Sequence, residues 1–420
     1  MHRFAPNLPQ MARFVFAGVA CSLWFYATAD ALDWSQWRGP TRDGQISGVD
    51  WPNSLKDEHL KREWRVELGP SYSGPIVTAD RVFTTETVDR AKEVVRAFDR
   101  ATGKPVWSVE WEGALSVPFF AKSNGDWIRS TPAFDGERLY VAGMRDVLVC
   151  LRASDGQQLW RRDFVAEMKT PVPSFGFVCS PLVIDGSVYV QAGAAFLKLN
   201  ALTGETQWKA LADNGGMEGS AFSSPTYVSL EGQPQLVVQT RQKLAGVSPA
   251  SGEVLWSEDV PAFRGMNILT PVLHEGRFFT SAYGGKSLAY AVKREGDKFT
   301  VSTAWENKTQ GYMSSPVIID GHAYIHLRNQ RFTCINLASG EQTWTTPKTF
   351  GKYWSMVANN DRILALDERG DLLLIQADPK EFKLIDERHI SDEETWAHLA
   401  VSGQQLIVRD LKGLSVYTWK

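Results

Sequence analysis

Four cysteines in 420 residues, Cys21, Cys150, Cys179 and Cys334, form no adjacent pair and no Cys-x-x-Cys-His haem site. Neither sign of charge dominates: 45 Lys and Arg stand against 48 Asp and Glu, a formal net charge of -3. Such a balance gives no electrostatic footprint for nucleic acid. At 43% apolar residues the chain also lies outside the composition of disordered proteins. Long apolar runs are missing too. Residues 14–27 are uncharged and apolar but fall short of the ~20 residues needed to span a bilayer. No transmembrane segment is therefore expected in the mature chain. Arg3 and Arg13 precede that run and Ala29-Asp30-Ala31 follows it, the layout of an export signal with a small-x-small cleavage site. Residues 1–31 read as a signal peptide cut after Ala31 rather than an anchor, with Met11 as an alternative start. Lipidation at Cys21 is disfavoured, because Gly18-Val19-Ala20 offers no large aliphatic residue three places before it. The expected location is the periplasm or cell envelope.

What is plentiful is glycine (34), proline (20) and tryptophan (16). The tryptophans recur at a fixed spacing. Gly103, Gly156, Gly204, Gly252 and Gly340 are each followed four residues later by Trp107, Trp160, Trp208, Trp256 and Trp344. Units open with Gly74-Pro75, Thr131-Pro132, Ser180-Pro181, Ser224-Pro225, Thr270-Pro271 and Ser315-Pro316. Turn pairs such as Asp135-Gly136, Asp185-Gly186 and Asp320-Gly321 then sit between short alternating runs. Short β-branched and aromatic runs joined by such turns are antiparallel hairpins. Four strands in each recurring unit of this length make a β-propeller blade. The spacing predicts blades at 73–111, 130–164, 179–211, 223–260, 269–307, 314–348, 353–390 and 395–420. The last unit has only three strands, and Leu60 to Leu68, with Trp64, reads as the missing fourth. The expected fold is all-β: an eight-bladed propeller of four-stranded antiparallel blades over 60–420, closed by an N-terminal strand. Residues 32–59 are left as an extension outside the ring, in which Trp34→Ala should cost under about 1 kcal/mol. The five repeat tryptophans are expected to dock blade on blade.

These units resemble the quinoprotein-type, or pyrroloquinoline quinone (PQQ)-like, propeller repeat, whose pattern is an apolar strand followed by Asp-x-x-Thr-Gly-x-x-x-Trp. The resemblance spans roughly residues 34–420. Trp34-Ser35-Gln36-Trp37-Arg38-Gly39-Pro40 with Asp43-Gly44 is similar to the N-terminus of secreted PQQ-like proteins of planctomycete-type bacteria. The resemblance implies the fold more than the function, since this propeller serves dehydrogenases and the scaffold lipoprotein of outer-membrane β-barrel assembly alike. A dehydrogenase of that branch typically holds PQQ under a disulfide of adjacent cysteines, with Ca²⁺ on Glu and Asn and an Asp base. This chain has no adjacent cysteines. Cys150 and Cys334 occupy equivalent strands on opposite sides of the ring, beyond the ~7 Å limit for a disulfide, and read as buried small hydrophobes.

Other constellations are weak. His322 and His326 fall in one strand, where residues four apart lie about 13 Å from each other, too far to share a zinc ion. No Gly-x-Ser-x-Gly or phosphate loop occurs. The remaining signal is a difference between the two faces. One face has tight turns, and the other has long connections rich in aromatics, Met and Arg, among them Phe119, Phe120 and Met217. These residue types are enriched at interface cores. The candidate interaction face is Trp127, Arg129, Phe177, Phe222, Arg264, Asn267, Tyr312, Trp354 and Trp396. Arg145, Arg241, Arg328, Arg331, Arg369 and Arg409, from other loops of that face, suggest a positive rim. The expected function is a monomeric, non-catalytic binding or scaffold module for a protein or a small acidic ligand, with no cofactor. The alternative is a PQQ- and Ca²⁺-dependent alcohol or sugar dehydrogenase.

Overall fold

In the computed structural model the described residues are 1–2, 33–46, 48, 50–213, 219 and 221–419. Apart from residues 1–2, the expected signal peptide with its cleavage site, Met11 and Cys21 falls outside them, as does Met217. Among the described residues no helix is long and apolar enough to cross a membrane.

Eight blades of four antiparallel strands stand around a central axis, and one of them, blade seven, gains a fifth strand from the N-terminal segment. Strands are lettered a to d from the axis outward. Blades one to six cover 76–112, 133–163, 182–210, 226–259, 272–307 and 317–345, and blade seven runs from Trp354–Asn359 to Lys383–His389. Local chemistry explains the hairpins. The a–b turns Asp185-Gly186, Glu231-Gly232, Glu275-Gly276 and Asp320-Gly321 have positive φ at both residues, the two-residue turn whose twist matches that of the strands. Blade eight contributes Ala400–Ser402, Gln405–Asp410 and Gly413–Trp419, and its strand d is Leu60–Glu67, with Leu60 opposite Trp419 and Glu67 opposite Gly413. Arg65 locks that closure, donating to both carboxylate oxygens of the buried Asp410 at 2.6 and 3.1 Å.

Each blade leans on the next through a tryptophan and a glycine. Trp64, Trp107, Trp160, Trp208 and Trp305 donate from Nε1 to the carbonyls of Arg100, Ala153, Ala201, Pro249 and Leu337, at 2.8 to 3.2 Å, in the c–d turn of the following blade. The turn glycine lies flat against that indole. A Cβ at Gly103, Gly156, Gly204, Gly252 or Gly340 would sit 2.5 to 2.8 Å from it. Glycine is thus required twice, for positive φ and for the ring. Trp344 follows the same rule onto Asp378 O at 2.8 Å. Trp256 departs from it: blade five has a long c–d hairpin and no such turn, and the indole bonds Gln235 Oε1 of its own blade at 2.7 Å.

The extension is not a free arm, which corrects the expectation for Trp34. Trp34 is 3% exposed and exchanges two backbone hydrogen bonds with Val77 on the inner edge of blade one. From there the chain dips into the axial channel and returns. Ser35 O accepts from Phe134 N of blade two, Gln45 Nε2 donates to Ile318 O of blade six, and Gln45–Ile46 pairs in parallel with Ala358 and Asn359 of blade seven. Arg38 and Arg42, both buried, donate to the carbonyls of Pro316, Pro181 and Ser180. The reason is backbone supply: inner strands expose unpaired carbonyls and amides to the channel, and this segment pairs with part of them. Burial without a carboxylate partner holds the Arg38 and Arg42 guanidiniums down, to about 10 and about 9.

Candidate functional site

The segment 33–46 divides the channel, and above it, toward the long connections, lies a cavity open at its mouth. Trp37 forms its floor, with the Arg38 and Arg42 guanidiniums over its ring at 5.5 and 5.7 Å. A belt of hydroxyls surrounds it. Gly74 N donates to Thr131 Oγ1, Thr131 N to Ser180 Oγ, Ser180 N to Ser224 Oγ, Ser224 N to Thr270 Oγ1 and Thr270 N to Ser315 Oγ, all at 2.9 to 3.1 Å. This belt is the physical reason for the recurring Ser/Thr-Pro. The hydroxyl accepts from the blade before it, and the proline that follows has no amide hydrogen of its own to satisfy.

Aromatic rings stand above the belt. Tyr72 stacks on Trp396 at 5.1 Å, and Trp396 on Tyr353 at 5.9 Å. Phe175 meets Phe222 at 5.6 Å and Tyr312 meets Tyr283 at 4.8 Å. Arg129 is half-buried over Tyr72 and donates to Gly125 O at 2.8 Å. Desolvation lowers its pKa to about 10, so it stays charged at neutral pH. His398, beside Trp37, donates from Nδ1 to Leu399 O at 2.8 Å. Burial first, then the Arg38 charge, depresses its pKa to about 3, so it is neutral.

Of the nine expected site residues, Arg129, Phe222, Tyr312 and Trp396 line this cavity. Trp127 is half-buried beside it, its carbonyl taking Arg129 Nε at 3.3 Å. Arg264 is exposed at the mouth. The other three belong to the packing rather than to an open face. Phe177 is 2% exposed within the cluster between blades two and three, and Trp354 is buried with Nε1 on Asp367 at 3.0 Å. Asn267 donates to Arg241 O and Val260 O. The rim arginines are likewise tied to backbone carbonyls: Arg409 to Gly69, Thr85 and Gly413, Arg331 to Thr346, and Arg369 to Phe350.

The residues that the sequence reading passed over are Trp37, Tyr72 and Tyr353, whose place in the cavity depends on the insertion of 33–46 and on the ring closing. At the mouth, Phe119, Phe120 and Phe263 are 86%, 50% and 50% exposed. Phe120, from the connection after blade one, and Phe263, from the connection after blade four, both stack on Arg264, at 5.7 and 5.2 Å. Among the described residues that line the cavity there is no Asp or Glu. Ca²⁺ takes several oxygen ligands, carboxylates foremost, so this donor set does not fit the PQQ–Ca²⁺ pair of the dehydrogenase alternative. It also supplies no carboxylate base. Among the described residues no three His, Cys, Asp or Glu side chains gather as for a metal ion, and Cys150, Cys179 and Cys334 are buried and unpaired.

A family model described as outer membrane protein assembly factor BamB matches residues 91–346. The protein of that name from Yersinia pestis is 21% identical over 287 residues, covering 66% of this chain and 65% of its own length, just under two thirds. That from Moranella endobia is 22% identical over 383 residues, covering 86% of this chain and 90% of its own. Among solved structures, BamB from Moraxella catarrhalis superposes with a TM-score of 0.61 at 13% identity, over 86% of this chain and 98% of that one. A quinohemoprotein alcohol dehydrogenase from Pseudomonas putida HK5 gives 0.54 at 12% identity, over 93% and 80%. At these identities the superpositions speak for the fold alone.

Proposed function

Because the chain belongs to the family described as outer membrane protein assembly factor BamB, we propose that it is a non-catalytic docking module of the cell envelope, working in the assembly of outer-membrane proteins. Its partner is a polypeptide that crosses the mouth of the axial cavity and places a carboxylate-bearing segment against it. The observation that carries this reading is the pairing of exposed Phe120 and Phe263 with Arg264, with exposed Phe119 against Phe120, above a cavity lined by Arg129 and, among the described residues, no carboxylate. Large exposed aromatics and Arg are the anchors of interface cores. Arg offers paired donors to a carboxylate, and the cations at the floor raise the local potential further.

The test is a photo-crosslinking amino acid at Phe119 in living cells, with the captured protein identified by mass. The same bait is then repeated with Arg264→Glu, which is exposed and removes no core contact. A crosslink to an outer-membrane assembly protein that weakens at least tenfold in Arg264→Glu, and weakens between 50 and 500 mM salt in vitro, supports the reading. A crosslink unchanged by Arg264→Glu refutes it.

A further inference from the structure

Below segment 33–46, on the tight-turn side, the channel keeps a groove. The groove, about 1520 Å³ counted to its open mouth, runs between that segment and strand a of blades three, four, five and six. What borders it can be read from the ladder registers. In blade four, Leu230 pairs with Gln233 across a two-residue turn, Ser229 with Pro234 and Tyr227 with Leu236. Hydrogen-bonded and non-hydrogen-bonded pairs alternate in such a ladder. The turn-closing pair is bonded and Pro234 has no N–H to give, so the amides and carbonyls of Ser229 and Tyr227 point away from strand b, into the channel. By the same register, the backbone groups of Val183 of blade three, Leu273 of blade five, Ile318 of blade six and Ala358 of blade seven point inward. Segment 33–46 confirms the rule where it reaches, bonding Ile318 O and Ala358 N. At Val183, Tyr227, Ser229 and Leu273 no described residue meets the inward groups.

We infer that this inner edge of blades four and five is a second binding site, which accepts an extended, uncharged segment of a partner polypeptide as an added β-strand. Three observations select a strand as the occupant. The free groups are backbone donors and acceptors along a strand edge, which another backbone complements and a folded surface does not. The chain itself already uses the mode one quarter-turn away, where Gln45–Ile46 adds to the inner edge of blade seven in parallel. The strand-a side of the groove is largely apolar, with Ile184, Val228, Val272 and Leu273 beside Tyr227, while segment 33–46 faces it with Gln36, Thr41, Arg42, Asp43 and Gln45; an added strand that packs on the strand-a side is suited to alternate β-branched side chains. The Thr226–Leu230 strand spans five residues, about 17 Å at 3.3–3.4 Å per residue, so five to seven residues of partner suffice. This site is on the face opposite the aromatic mouth and does not depend on what binds there.

The test uses the full chain and a fluorescent nine-residue peptide of alternating Thr and Val, alongside the same peptide with alternate amides N-methylated. Anisotropy should show saturable binding of the first and at least a tenfold loss for the second. Hydrogen exchange should slow on peptic fragments covering 226–230 and 271–276. Ser229→Pro, which removes one inward amide without touching the pairing to strand b, should abolish binding while leaving the thermal melt in place, and Phe119→Ala should leave binding unchanged. Equal binding of the N-methylated peptide, protection confined to the long-loop face, or no binding at millimolar peptide overturns the inference. So does slow exchange at 226–230 before any peptide is added: if independent of protein concentration the chain's own residues cover the edge, and if dependent on it a second copy does.

Discussion

Replacing Gly204 with alanine tests how the blades are held together, with Gly186→Ala as its internal control. Both glycines have positive φ, +74° and +68°, so alanine at either position incurs the left-handed backbone cost of about 1–2 kcal/mol. They differ in what a Cβ would meet. At Gly186 nothing lies within 4 Å, whereas at Gly204 the Cβ would stand 2.8 Å from two ring carbons of Trp160. That indole cannot simply step aside, because Nε1 is bonded to Ala201 O at 3.0 Å and its face rests on Tyr140 at 5.8 Å. Forcing a methyl into such packing costs about 1–3 kcal/mol more. Gly186→Ala should therefore lose about 1–2 kcal/mol and Gly204→Ala about 2–5 kcal/mol. The assay is guanidinium unfolding followed by far-UV circular dichroism, completed with Trp160→Ala and the double variant. Trp160→Ala alone should cost about 3–5 kcal/mol. In the double variant the ring is gone and only the backbone portion of the glycine effect remains, giving a coupling of about 1–3 kcal/mol. Equal losses at the two glycines, or strict additivity in the double variant, would show that the indole does not rest on the following turn.

The inserted segment and a buried carboxyl give two further tests. Trp34→Ala should lower stability by about 3–5 kcal/mol in the same assay, as for a repeat tryptophan, and a loss under about 1 kcal/mol would return residues 33–46 to the status of a free arm. Glu93 is fully buried, and desolvation lifts its pKa to about 7 despite bonds from Met144 N at 2.6 Å and Trp111 Nε1 at 2.7 Å. A carboxyl whose folded pKa lies above its unfolded value favours the fold while protonated. Its contribution is full below about pH 4.5 and is lost as pH rises through about 7, amounting to about 3 kcal/mol, of which about 2–3 kcal/mol is lost between pH 5 and pH 8. Asp146, raised to about 6 by burial, adds in the same direction. Unfolding free energies at pH 5 and pH 8 should differ less in Glu93→Gln than in the parent, and identical differences would mean that Glu93 is ionised throughout.

The parts of this molecule that could be read from its sequence are those whose cause is local. A Gly-x-x-x-Trp spacing is a turn and the strand leaving it, and Trp64 carries the strand-d signature alone, which is why Leu60–Glu67 could be assigned to the far end of the chain. Trp34, Arg38 and Arg42 carry no such signal: an arginine in an extension looks solvated until its acceptors, the carbonyls of Pro181 and Pro316, are brought around the ring. Arg409 misled in the same way, since it is on the expected loop yet turned inward onto Gly69 and Thr85, and Asn267 points down into backbone where a surface contact was expected. One demand links the hydroxyl belt, the arginine ties and the inserted segment. Inner strands and loop ends present backbone groups that no blade can satisfy by itself, and side chains from the next blade or the extension supply the missing partner. Where that supply stops, the surface is left for something else: at the exposed rings of Phe119 and Phe263, and at Tyr227, Ser229 and Leu273, whose inward backbone groups meet no described residue.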